Sequence, residues 1–452
     1  MSATIQIAGL SSYLEAFSAL QQRASRQPEW LRRLRDDAFA RFCDVGFPTT
    51  KDEDWRFTNV APISQAEFHL AAETASVPGI AEVRPFFLSG AACHLVFVNG
   101  RYAPELSDTP QLPRGVEADS LAAAIQRAPQ ALEAHLGRYL NIERDAFCAL
   151  NTAFIEDGAY VRVSKGAVLK APLHVLFVST SAASAVPRMV NPRNLLIVEE
   201  NAQVSIVQEH ISLGDDVLFS NGATELIAGE NSVVSHLMIE RENNRAFHIS
   251  TQRIQQARSA NVHSHSVLVG GALVRNNVHP VLAGEGAECL INGLFLGNGK
   301  QHMDNYMLVE HASPHCASHQ FYNGILGGHA HGVFHGRILV HKDAQKTDAK
   351  QTNRNLLLSD DARIDTKPQL EIFADDVKCT HGATIGQIEG NALFYLRSRG
   401  LDEKEAREML LLAFAGECMV RIPEGPVRSH VEAIVGESML QMTASIGAGS
   451  QA

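Results

Sequence analysis

The sequence predicts a mainly β protein: a parallel β-solenoid core with helical units before and after it. From about Tyr160 to Leu396, short β-type runs are separated by turn residues, and a small-residue turn followed by a β run recurs every ~27 to 30 residues. Outside that stretch the apolar residues fall at helical spacing. An antiparallel sandwich is the alternative that the runs alone leave open.

The first element is a pair of amphipathic helices between Leu10 and Phe42. Tyr13, Leu14 and Phe17 share one stripe, and Trp30, Leu31, Leu34, Ala38 and Phe39 share another. From Ala71 to Val116 prolines and glycines surround short apolar runs such as His94 to Val98, which ends at the turn dipeptide Asn99-Gly100. A further helical stretch covers Leu121 to Leu140, so residues 1–150 read as one helical and mixed N-terminal unit.

The solenoid is expected over 151–398. Its turns read Lys165-Gly166-Ala167, Glu200-Asn201-Ala202, Glu230-Asn231-Ser232, Arg258-Ser259-Ala260 and Glu285-Gly286-Ala287, with echoes at Asp343-Ala344 and Asp361-Ala362. After Gly400 helical spacing returns. Asp402 followed by Glu405 forms a capping box, and Ala406, Met409, Leu410, Ala413 and Phe414 form an apolar stripe. Pro423, Gly425 and Pro426 break it, and Val427, Val431, Ile434, Val435 and Met439 mark a second helix. A C-terminal helical unit over 399–445 and a disordered tail over 446–452 follow.

Bulk composition bounds the function. The 452 residues carry a net charge of −11, which argues against a nucleic-acid or anionic-membrane surface as the main partner. Seven cysteines without regular spacing fit free thiols in a reducing compartment. The opening Met1 to Ile7 lacks a basic segment leading into an apolar run, and no window nears the ~18 apolar residues of a membrane span. A cytoplasmic protein is expected.

Candidate chemistry is sparse. Gly293 to Lys300 superficially resembles a phosphate loop, but its glycine spacing is wrong and Gln301-His302 replaces the magnesium-binding Ser or Thr, so a glycine-rich turn is expected. His311, His315, His319, His329, His331, His335 and His341, with Cys316, suggest a metal site, but the same-face pairs His329/His331 and His263/His265 have no carboxylate next to them and there is no Cys-x-x-Cys, so most read as polar positions on solenoid faces, with a metal or interface role for some as the alternative. Asp360-Asp361 and Asp375-Asp376 read as solvated turns. The sharpest feature is Cys379-Thr380-His381. On a strand its thiol and imidazole share one face about 7 Å apart along the chain, and both can ligate iron, but two ligands do not complete a site.

Several blocks carry a resemblance across nearly the whole chain. Lys51-Asp52-Glu53-Asp54-Trp55-Arg56-Phe57-Thr58 closely resembles the Glu-x-Trp-Arg/Lys-x-Thr signature of the paired scaffold subunits of the Suf iron–sulfur cluster assembly system. Phe97 to Arg101, Leu106-Ser107, Leu150 to Phe154, Pro368 to Ile372, Lys378 to Gly386 and Phe394 to Gly400 resemble further family blocks in the expected order. Asn353 to Ser359 lacks the cysteine of B-type chains, and Thr380-His381-Gly382-Ala383-Thr384 departs from their His-Glu-Ala-Thr, so the resemblance is to the D type.

The resemblance implies a right-handed parallel β-helix that pairs with the B subunit, SufB, through the β-helices. It implies that the C-terminal helices dock the ATPase subunit, SufC, and that a transient nascent cluster forms at the SufB junction, where the matching residues are Cys379 and His381. No catalytic residue and no nucleotide site are expected in this chain; a homodimer is a further pairing for the isolated chain. A β-helix carbohydrate-active or acyl-transfer enzyme, and a purely structural subunit without metal, are the rival readings.

Overall fold

The structure, a computed structural model, describes residues 10–24, 27–70, 77–181 and 186–449. The opening residues 1–9 and the last residues of the expected tail, 450–452, lie outside the described residues.

Two parallel sheets face each other and make the solenoid, one of 11 strands and one of 10. Successive strands from Ala159–Val163 to Lys378–Gly386 alternate largely between the two sheets, so each coil adds one strand to each. Pairing is in register from coil to coil, as when Ser220 meets His248 and His248 meets Val274. Stacked residues therefore keep the same side of the sheet, and alternate side chains enter the space between the sheets. Val204, Ile206, Val234, Val262, Cys289, Ile291, Phe334 and Ile338 fill that space as the main core.

The recurring turn has a conformational cause. The second residue of each predicted copy is left-handed: Gly166 at φ 73°, Asn201 at 58°, Asn231 at 54°, Ser259 at 53° and Gly286 at 70°. Each of their N–H groups donates to a turn carbonyl of the next coil, such as Asn201 to Glu230 at 2.8 Å and Ser259 to Glu285 at 2.9 Å. The ladder continues through His315 at φ 59° and Lys346 at φ 63°, whose N–H groups reach Gln345 and Asp376. These are the true later copies. Asp343-Ala344 and Asp361-Ala362, read as echoes, lie outside this row. Lys rarely takes left-handed backbone and His does so far less readily than Gly, so residue type conceals both copies in the sequence.

Helices cover both outer faces. Leu10–Arg23 and Glu29–Val45 pack Tyr13, Phe17, Leu20, Phe39 and Phe42 toward Met189, Phe219, Ile249 and Leu273 of the 11-stranded sheet. Leu14 is exposed rather than part of that stripe. Glu403–Met419 and Pro426–Gly449 pack Leu411, Phe414, Cys418, Val431, Ile434 and Val435 on Val207, Leu237, Ile239, Val267 and Leu294 of the other sheet. The capping box forms, with Asp402 accepting from the Glu405 N–H at 2.8 Å. Phe414 is thus covered by the solenoid, while Met409 and Leu412 remain exposed. The last helix runs through Gly449, past the position 446 where the tail was expected to begin.

The predicted run His94 to Val98 forms the strand Cys93–Val98, which turns at Asn99-Gly100 into Arg101–Tyr102 and pairs parallel with Leu173–Thr180. This part of the N-terminal region belongs to a solenoid sheet. Among the described residues no helix is long and apolar enough to cross a membrane, and all seven cysteines are free.

Candidate functional site

The N-terminal signature acts as a clamp on the outer face of the 11-stranded sheet. The Arg275 guanidinium lies 3.8 Å from the centre of the Trp55 ring and pairs with Asp304 one coil on. The Thr58 hydroxyl, fully buried, donates to Asp304 and meets His302 Nε2 at 2.9 Å. Glu53 reaches Lys367 of Arg363–Ile372 at 2.8 Å. A second block behaves alike: Asn151 and Thr152 hold Arg193, whose guanidinium pairs with Glu225 at 2.6 Å where both are fully buried. The sequence reading missed these charged pairs, although Asp304 and Glu225 inside apolar strand runs are a visible signal.

The glycine-rich stretch is the end of a strand and the turn after it, not a phosphate loop. Gly293 to Gly297 lie in the strand Glu288–Gly297, followed by a left-handed Gly299 and then another strand. Gly293 is required because a Cβ there would stand 2.0 Å from the Tyr322 ring.

The histidine-rich stretch disperses over several coils. His331 meets Asp365 at 2.7 Å, His341 meets Glu310 at 2.9 Å, and His329 meets Asp361 at 3.5 Å, while His311 lies inside with its Nε2 at 2.8 Å from Ser318. His315 serves in the turn ladder. Among the described residues none of these joins a group of three metal-competent side chains; the one such group is His210, Glu242 and His248.

Cys379 and His381 lie on Lys378–Gly386, the last strand of the 10-stranded sheet. That strand pairs on one side only, with Asp348–Leu357, placing Cys379 beside Ala349 and His381 beside Gln351. Ala349 and Gln351 are buried, and Cys379 packs against the main core, so this row faces the space between the sheets. Here that space opens to solvent: Cys379 is half-buried, His381 exposed, Ile385 53% exposed and Phe373 63% exposed. Burial pushes the Cys379 thiol up, and Asp348 adds to the effect against an opposing hydrogen bond at Ala349. Both predicted residues thus share a face at an open mouth, and no third donor accompanies them among the described residues.

The family model described as "SufBD protein N-terminal region" matches residues 9–175, and that described as "SUF system FeS cluster assembly, SufBD core domain" matches 177–414. The chain belongs to the SufBD family. An iron-sulfur cluster assembly SufBD family protein of Synechocystis is 36% identical over 397 residues, 86% of either chain. The iron-sulfur cluster assembly protein SufD of Escherichia coli is 32% identical over 400 residues, 87% of this chain and 90% of that one. SufD of Bacillus subtilis is 25% identical over 442 residues, 94% and 96% of the two. As a SufD homologue the chain is an iron–sulfur cluster assembly protein, a scaffold rather than a catalytic enzyme. The core match spans the solenoid strands from Arg188–Val190 to Lys378–Gly386 and most of the helix Glu403–Met419 that packs on them, while the first solenoid strands fall in the N-terminal match.

Proposed function

We propose that this chain is the D-type scaffold of a cytoplasmic SufBCD complex. Its open solenoid end pairs with SufB, and a nascent cluster forms transiently at that junction with His381 and Cys379 as this chain's ligands. The observation that carries the reading is the open mouth. Two strands of a parallel solenoid stop with unpaired edges, beside exposed Phe373 and Ile385, and Cys379 and His381 share one face of the second of them. An uncovered edge of this kind is a template for another chain, and a homologous solenoid supplies matching strands.

His381 leads as ligand. It is exposed, and a neutral imidazole binds iron without deprotonation, whereas the raised Cys379 thiol must lose a proton first. One strand supplies two donors and an iron–sulfur cluster takes four, so the remainder must come from SufB or from the cluster's own sulfide and thiols. The SufC dock falls on the C-terminal helices, whose outward face carries exposed Met409, Leu412, Val420 and Leu440.

The test is His381→Ala in the complete complex. Co-purification with SufB and SufC should be unchanged while cluster maturation in cells falls sharply, and Cys379→Ala should do less. Full maturation by the His381 variant, or a complex that falls apart, rejects the ligand assignment.

A further inference from the structure

The space between the sheets is not uniformly apolar. Along the inward rows that begin with Val204, Val234 and Ile254, the side chains turn polar further on: Gln208 and His210, His236 and Glu240, Gln252 and His248, all buried. Most of these groups satisfy one another. Gln208 accepts from Thr224 at 3.2 Å, the Gln252 amide meets His236 Nδ1 at 2.8 Å, and Ser264 donates to Gln252 at 3.1 Å.

One group does not close in this way. His210 on Gln203–Leu213, Glu242 just after Val233–Arg241, and His248 on Phe247–Gln256 each offer one ligating atom, and these atoms lie within 4.8 Å of one another. His248 Nδ1 stands 2.9 Å from Glu242 Oε2, and the two imidazole centres are 4.7 Å apart. His210 Nε2 lies 3.1 Å from the Gln208 amide. The other ring nitrogens, His210 Nδ1 and His248 Nε2, are buried with no hydrogen-bond partner among the described residues. Beside them Glu240 is fully buried, its two oxygens accepting from the Glu242 N–H at 2.9 Å and the Gly270 N–H at 3.2 Å.

We propose that His210, Glu242 and His248 form an internal site for a divalent first-row transition ion, with Glu240 as a flanking carboxylate. Two observations converge on it. Two fully buried imidazole nitrogens without partners are rare in a packed interior unless an ion or water uses them. The two-nitrogen, one-oxygen donor set suits Zn(II) or Fe(II) and not the all-oxygen shells of calcium or magnesium.

The geometry is within reach. At metal–ligand distances of ~2.0–2.1 Å tetrahedral donors stand about 3.3 Å apart, so side-chain rotation closes the present spread. Glu242 sits at the turn between two strands, two residues before the exposed Asn244. Such an ion would tie the two sheets together, since His210 belongs to the 10-stranded sheet and His248 to the 11-stranded one. It contains no thiol and lies several coils from Cys379, so it is independent of the cluster junction proposed above.

Metal-stripped full-length chain, titrated anaerobically with Co(II), tests this site. Expected are one saturable equivalent with the ligand-field spectrum of a four- or five-coordinate ion, displacement by Zn(II), and a raised melting temperature with either metal. His248→Gln should weaken Co(II) binding at least tenfold, while the double variant Cys379→Ala/His381→Ala keeps it. Should His248→Gln fail to fold by circular dichroism, Glu242→Gln takes its place, because its amide oxygen can still accept from His248. Fe(II) competition then separates an iron site from a zinc site. The absence of a saturable equivalent, binding unchanged in His248→Gln or its replacement, or binding lost only in the Cys379/His381 variant overturns the proposal.

Discussion

At one end of the solenoid Val116–Ser120 runs antiparallel to Ala159–Val163, and the hairpin of Cys93–Val98 with Arg101–Tyr102 finishes the other sheet. At the opposite end Arg363–Ile372 and Lys378–Gly386 each pair on one side only, and their row is intermediate or exposed throughout. A stack of parallel coils cannot terminate itself: its last coil always offers unpaired backbone groups and half a core. The first end solves this by reversing chain direction, which folds a cap from the same polypeptide. Among the described residues no strand reverses over the second end, although the N-terminal clamp braces it through Lys367 and Glu53. The difference teaches that the chain caps its own solenoid at one end and leaves the other open, which is the end the proposed pairing uses.

The largest effect should come from paired substitutions at the two ends. Phe97 at the capped end is fully buried, and Phe97→Ala should destabilise by about 3–5 kcal/mol in denaturant titration of the isolated chain. Phe373 at the open end is 63% exposed, and Phe373→Ala should stay within ~0.5 kcal/mol while weakening association with SufB. Equal destabilisation by both would remove the contrast. Nearly as large is the brace: Asp304→Ala strands the buried Arg275 and should lower stability by about 3–5 kcal/mol, loosening Trp55 as read by its fluorescence. A change under 1 kcal/mol would mean that this pair does not hold the N-terminal helices to the sheet (about 3–5 is the range for broken buried pairs).

A smaller effect is pH dependence from the closed interior. Burial pulls His236, His302 and His311 from the usual 6.5 down to about 4. The unfolded chain takes up protons below 6.5 that the folded chain refuses until about 4, so stability is complete above 6.5 and falls as pH drops through that window. The slope is on the order of 1.4 kcal/mol per pH unit for each group. His236→Gln should flatten the dependence of melting temperature on pH, and an unchanged slope would show that His236 is not held neutral. The smallest stability effect belongs to His381→Ala, since His381 is exposed.

Sequence legibility followed the same divide between local and non-local information. Helices at both termini and the capping box at Asp402 were readable because residues three and four apart decide them. The turn row was readable at Gly166, Asn201 and Asn231, where residue type favours left-handed backbone, and was lost at His315 and Lys346, where it does not. Cys379 and His381 could be placed together because one strand carries both. His210, Glu242 and His248 could not, because their proximity exists only once coils stack. Phe414 shows the converse. Its helical stripe was visible, but only the fold reveals that the solenoid occupies it and leaves Met409 and Leu412 outside.

The central claim is that the open end receives a second scaffold subunit. Amide hydrogen exchange of this chain, measured with and without SufB, reads that claim strand by strand. The account predicts strong new protection in Arg363–Ile372 and Lys378–Gly386 and no change in Val116–Ser120. Protection that appears elsewhere while these two edge strands exchange as before would contradict it.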